Sequence, residues 1–171
     1  ERWSVPAGNK LVITDQNVLA TDFTLSHAGQ QISLNSVNQS ATSPLQARFV
    51  DFQLATVTAF IQNDSTIVNG RMNGTVSFSN ILADPIFEGE LNIADLAIRN
   101  DTVGNAVIRV NNTTSNVYAA NATLTGRGND VRIDGRYFAN PAGTPSRFDL
   151  DLNVVSLPMS TVQAFSNGEI K

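Results

Sequence analysis

His27 is the only histidine in the chain, and no serine or carboxylate is tied to it by spacing. A nucleophilic relay needs an imidazole held between a hydroxyl and an orienting acid, so catalysis through His27 is the weaker reading. Gly126-Arg127-Gly128 begins like a phosphate-binding loop, but the third glycine of that fingerprint is absent and strand-patterned residues follow. It reads as a hairpin turn. Asp149 and Asp151 share one face of a strand, about 6–7 Å apart, a spacing that could serve a cation or a glycosidase pair. The plainer reading is a solvated outer face. Asn38, Asn63, Asn73, Asn111, Asn112 and Asn121 each match the N-glycosylation triplet. A chain this rich in Asn, Ser and Thr generates such matches by composition. With no cysteine, disulfides and thiolate metal sites are excluded. A net charge of −4, with only 15% charged residues, leaves no basic footprint for nucleic acid. These residues point to a protein that is not an enzyme and uses no cofactor or metal.

The elements that would carry these residues are strands. Phe87-Glu88-Gly89-Glu90-Leu91-Asn92-Ile93, Ala106-Val107-Ile108-Arg109-Val110 and Val131-Arg132-Ile133-Asp134 alternate apolar with polar. Phe148-Asp149-Leu150-Asp151-Leu152-Asn153-Val154 does so most cleanly. Period two with one apolar parity predicts antiparallel sheet, dry on one face and wet on the other. Asn69-Gly70, Asn73-Gly74, Gly104-Asn105 and Gly128-Asn129-Asp130 tolerate left-handed dihedrals and predict tight turns. About ten to twelve strands result.

Two segments have helical spacing instead. Leu54, Val57, Phe60 and Ile61 predict a short helix over 52–62, and Met159, Val162 and Phe165 another over 157–167. Asp51 and Ser156 are the expected N-caps, with Asn63 and Gly168 as the expected C-caps. The two segments occupy matching places in an internal repeat. Leu25-Ser26-His27-Ala28-Gly29-Gln30-Gln31-Ile32 aligns with Leu124-Thr125-Gly126-Arg127-Gly128-Asn129-Asp130-Val131 at an offset of about 99. Leu54 to Phe60 aligns with Met159 to Phe165 at about 105, which predicts a small loop insertion near residues 140–145. The fold class is therefore all-β with one or two short helices. Residues 1–62 form the end of one repeat and 63–171 the next, in one continuous unit. A period near 100 in 171 residues implies a piece of a longer repetitive protein.

The run Asn69-Gly70-Arg71-Met72-Asn73-Gly74-Thr75-Val76-Ser77-Phe78, then Ala83-Asp84-Pro85-Ile86-Phe87-Glu88-Gly89-Glu90-Leu91, then Val103-Gly104-Asn105-Ala106, resembles the repeat of the TamB family. Asn129-Asp130-Val131-Arg132-Ile133-Asp134-Gly135-Arg136-Tyr137 is similar to its closing strand. The resemblance runs from about residue 25 to 171, and its wording is closest to a Bacteroidetes member. It implies a curled antiparallel sheet forming an open half-pipe with an apolar interior (the β-taco), related to AsmA-like and bridge-type lipid carriers. It further implies a periplasmic location, a parent anchored in the inner membrane by a single span, phospholipid as cargo, and an outer-membrane barrel partner engaged through the full-length protein. No run of 18 apolar residues lies within these 171.

The expected lipid groove is the apolar parity: Val76, Phe78, Phe87, Leu91, Ile93, Ile108, Val110, Leu124, Val131, Ile133, Phe148, Leu150, Leu152 and Val154. A two-chain phospholipid hides about 30 methylenes at about 0.8 kcal/mol each, so crossing water bare costs on the order of 20 kcal/mol. A continuous apolar trough lowers that barrier without chemistry. Alternation alone permits equally a closed sandwich or barrel core, and the resemblance favours the open groove. Two other readings stand beside the conduit. One is a scaffold or chaperone for assembly and secretion of outer-membrane proteins, without lipid carriage. The other is an adhesive or carbohydrate-active β-solenoid, which ranks last because nine of the twelve aromatics are Phe, many at inward parity. Free strand edges would be covered by a neighbouring repeat, by self-association, or by Arg2-Trp3-Ser4-Val5 folded back.

Overall fold

The computed structural model describes residues 2–15, 17–56, 68–82, 85–99, 101–114, 116–139 and 145–166. Strands β1 (Lys10–Ile13) and β2 (Val18–Thr21) form a small hairpin. The other nine are β3 (Phe23–His27), β4 (Gln30–Ser36), β5 (Leu45–Gln53), β6 (Val68–Ser79), β7 (Ile86–Ile98), β8 (Asp101–Thr114), β9 (Val117–Gly126), β10 (Asn129–Phe138) and β11 (Arg147–Ser156). They make one antiparallel sheet in sequence order, with β3 at one end and β11 at the other. The ends do not pair, so the sheet is an open, curled half-pipe and not a closed barrel.

Register turns alternation into rows. Leu25, Ile32, Phe49, Gly74, Leu91, Ile108, Ala122, Ile133 and Leu152 lie directly opposite one another across all nine strands. A second row runs Phe23, Leu34, Ala47, Val76, Gly89, Val110, Ala120, Gly135 and Leu150. Neither row contains a polar side chain. Between them runs the row Ser33, Arg48, Thr75, Glu90, Arg109, Asn121, Asp134 and Asp151, which faces the other way.

Two bulges, at Asp51 and Asp95, and the bend at Asp22 between β2 and β3 share one construction. Asp22, Asp51 and Asp95 have φ of 48°, 43° and 53°. In each, the exposed backbone N–H donates to a cross-strand asparagine Oδ1: Asn35 at 2.7 Å, Asn73 at 2.9 Å and Asn105 at 3.1 Å. This is one physical use for the abundant asparagines, since a short amide can satisfy the donor that a bulge removes from the ladder. It also corrects the expected cap: Asp51 lies inside β5, at its bulge, and begins no helix.

The Asn-Gly and Gly-Asn pairs are corrected too. Gly70, Gly74 and Gly104 sit within β6 and β8, not in turns. A Cβ at Gly74 would meet Glu90 O at 2.1 Å, and one at Gly104 would meet Thr125 O at 2.2 Å. Close passage of a neighbouring strand demands these glycines. Arg127-Gly128 does form the β9–β10 hairpin turn, with φ of 54° and 83°.

The aligned segments pair in the same way. Leu25 faces Ile32 as Leu124 faces Val131, and Phe49 faces Ile32 as Val154 faces Val131. The extra residues of the second unit lengthen its strands: residues 136–138 and 147–149 pair with each other beyond the part matched by β4 and β5. The insertion expected near 140–145 is thus taken up by strand, and 140–144 lie outside the described residues. A helix begins at residues 54–56; its expected continuation to 62, with the cap at Asn63, lies outside the described residues. The second helix spans Met159–Phe165, with Pro158 and not Ser156 at its N-cap. Ser156 ends β11, while Ser166 closes the helix. The cap expected at Gly168 lies outside the described residues.

Candidate functional site

All fourteen expected groove residues fall on one face. Leu91, Ile108, Ile133 and Leu152 are in the first row, and Val76, Val110 and Leu150 in the second. Ile93, Leu124, Val131 and Val154 follow in a third that starts at Phe52 and Met72. Phe78, Phe87 and Phe148 belong to a fourth, at the opposite rim. Nine strands at about 4.8 Å spacing make this apolar face roughly 38 Å long.

The face is packed at one end and hollow at the other. Phe52, Met72, Ile93 and Ala106 form a buried cluster, with Trp3, Ile32, Phe49, Leu54, Leu91, Leu96 and Ile108 against it. Beyond it opens a cavity of about 690 Å³. Ile93, Leu96, Ala106, Ile108, Ala122, Leu124, Val131 and Ile133 line its floor; Leu54, Leu157, Val162 and Phe165 line its helix-bearing rim. A second space of about 330 Å³ shares Ile108, Ala122 and Ile133 and adds Tyr118, Ala120, Gly135, Tyr137, Phe148 and Leu150. The two form one trough, and small side chains at 106, 120, 122 and 135 leave it unfilled. Alternation flagged the large residues, but not Ala106, Ala120, Ala122 and Gly135, whose parity was the available signal.

The helix Met159–Phe165 closes one rim. Thr161 and Ala164 are its buried residues, Ala164 packing on Ile98 and Val103. Asn129 Nδ2 donates to Thr161 Oγ1 at 3.0 Å and to Val103 O at 2.6 Å, and Arg99 donates to Ala164 O at 3.0 Å. In the first unit, Thr56 Oγ1 donates to Gln30 Oε1 at 3.2 Å. Gln30 and Asn129 occupy equivalent hairpin positions, as do Thr56 and Thr161 on the helices. An amide–hydroxyl hydrogen bond, donated by the hydroxyl at Thr56 and by the amide at Asn129, therefore seats each helix on its hairpin.

The other rim is aromatic. Phe78, Phe87, Tyr118 and Tyr137 follow one another with ring centroids 6.5, 5.7 and 6.1 Å apart. Asn112 sits beside this rim with its side chain turned in, Nδ2 donating to Pro85 O at 2.5 Å and Oδ1 accepting from the Phe87 N–H. It is only 3% exposed, which leaves no room for a glycan.

The chemistry-bearing residues do not converge. His27 Nδ1 donates to Arg2 O at 2.7 Å and its ring packs on Trp3 at 5.5 Å, so it clamps the N-terminal segment. Asp149 is paired with Arg147 at 3.1 Å, and both it and Asp151 lie exposed on the outer face. Among the described residues, no three His, Cys, Asp or Glu side chains gather where they could hold a metal ion. The outer face carries exposed pairs, Glu90–Arg109 and Arg132–Asp134, each at 2.7 Å. The Asn92 amide, then the Arg109 guanidinium, hold the Glu90 carboxyl below its ordinary value. Arg132 foremost, with Asn121, does the same for Asp134. Among the described residues, no helix is long and apolar enough to cross a membrane. Comparison with known protein families, with curated proteins and with solved structures finds no match for this chain.

Proposed function

We propose that this chain is a segment of a periplasmic lipid conduit, whose apolar trough holds phospholipid acyl chains in transit between the inner and outer membranes. The observation that carries the reading is the apolar face across nine strands of an open sheet, with hollow space beyond its packed end. Burying each methylene of a chain there recovers about 0.8 kcal/mol. No reacting group is needed. In this reading, which the resemblance to TamB repeats motivates, an anchored parent supplies the membrane contact and the barrel partner. Scaffolding of outer-membrane proteins is the second reading, favoured by β11 standing outermost in the sheet among the described residues.

Native mass spectrometry with lipid extraction on the gently purified protein tests the first. Stoichiometric phospholipid, lost in Ile133→Asp, is the expected result. Ile133 is 37% exposed and lines both cavities, so a charge there tests the trough more than the fold. Leu91 packs on the buried cluster, and a charge there tests both. A lipid-free protein that also excludes apolar probes, but crosslinks unfolded polypeptide along β11, moves the scaffold reading to the front.

A further inference from the structure

We propose that the packed cluster at the β5–β7 end of the trough is a stop. An acyl chain lies lengthwise over β8–β10, with its terminal methyl against Leu54, Ile93 and Ala106 and its polar end directed toward β10. The inference rests on the reading that the trough takes acyl chains, and adds where such a chain ends and which way round it lies.

The wall is made of residues with two roles. Leu54, Ile93, Leu96, Ala106 and Ile108 line the cavity of about 690 Å³, and the same five belong to the buried cluster or pack against it. Behind them the space is filled. The rings of Phe49 and Phe52 meet edge to face at 5.8 Å, and Trp3 stands 6.4 Å from Phe52. Register sets filled and hollow parts in one line: Phe52 faces Met72, Met72 faces Ile93, Ile93 faces Ala106, and Ala106 faces Leu124. Phe52 and Met72 are buried in the cluster, whereas Leu124 lines the cavity, so packing gives way to space at Ile93 and Ala106. A chain following this row past β7 would have to evict close-packed side chains and forfeit their contacts.

The filling is a local choice of side chain. Phe49 and Phe52 align with Val154 and Leu157, as Leu25 and Ile32 align with Leu124 and Val131. In the second unit Leu124, Val131 and Leu157 line hollow space. In the first, aromatic rings occupy the corresponding place. Polarity sets the orientation of the chain. The five wall residues carry no polar side-chain atom, so a carboxylate or ester turned toward them would lose its water without a replacement. A methyl group loses nothing there.

Palmitic acid with a photoreactive diazirine on its terminal carbon reads where the methyl end stops. Irradiation is expected to label Leu54, Ile93 or Ala106 and to leave Met72, Phe52 and Phe49 unlabelled, with unlabelled palmitate competing the label away. Two variants move the wall in opposite directions. Leu54→Ala should let the label reach Met72 or Phe52, and Ala106→Leu should hold it back at Leu124 and Val131. Should one variant fail to fold, the shift in the other decides. Label at Met72, Phe52 or Phe49 in the wild type overturns the proposal, as does a pattern that the variants leave in place. Competed label confined to Tyr118, Tyr137 and Leu150 overturns it too, while leaving the trough reading intact. Absence of any competed label, with no phospholipid on the purified protein, overturns both.

Discussion

Gln30 and Asn129 are each 5% exposed, and each meets a buried helix threonine. Losing one partner of a buried hydrogen bond costs about 1–3 kcal/mol, so Thr161→Val is expected to lower stability by about that amount, read from urea unfolding. Thr56→Val should behave alike, because it breaks the equivalent latch. The strand glycines tolerate less. At Gly74, φ is 150° and an added Cβ would strike the Glu90 carbonyl. Gly74→Ala should therefore cost about 2–4 kcal/mol, from strain that no side-chain movement can relieve. Glu90 and Asp134 set the acid limb. Their folded pKa values lie below the ordinary 4.5 and 3.8, so their contribution is full above those values and is lost as pH falls through the folded ones. Both are exposed, which keeps the effect small. Melting temperatures of the wild type and Glu90→Gln should converge as pH drops from about 6 to about 3.

At the scale of elements, period two was decisive because burial on one face of a sheet leaves an alternation that any window of seven residues displays. Eleven strands are described, within the ten to twelve expected. The repeat was legible at its hairpins for the same reason. Punctuation was not. An Asn-Gly pair signals a turn when its left-handed preference acts locally, but Gly74 and Gly104 are set by a neighbouring strand that is distant in sequence. Asp51 has the chemistry of a helix cap, yet its backbone N–H is held by Asn73 across the sheet. The N-terminal segment was legible only as an option, since nothing in Arg2-Trp3-Ser4-Val5 names Ser26 as its partner. Its packing makes a prediction. Trp3 touches His27 and Phe52, with ring centroids 5.5 and 6.4 Å away. Trp3→Ala should cost about 2 kcal/mol, below the range for a fully buried tryptophan. It should also loosen the cover on β3, seen as faster amide exchange at Ser26.

Across the whole molecule, the question is whether the apolar face is a core or a channel, and alternation cannot separate the two. Volume can. A core is filled to crystal-like density, whereas here residues as small as Ala120, Ala122 and Gly135 line spaces of about 690 and 330 Å³ that meet at Ile108, Ala122 and Ile133. Ala122 is the informative position because it lies on the floor where the two spaces join. In a closed core, Ala122→Phe would overpack and destabilise by about 1–3 kcal/mol. In an open trough the ring enters empty space, and stability should stay within about 1 kcal/mol of wild type. The cost would fall on the ligand instead. Excluding roughly two methylenes of a bound chain forfeits about 1.6 kcal/mol, or a little over tenfold in affinity. Titrating a fluorescent fatty acid into both proteins, alongside urea unfolding of each, separates the outcomes. Weakened binding with stability preserved marks a channel, and stability lost with binding absent from both marks a core.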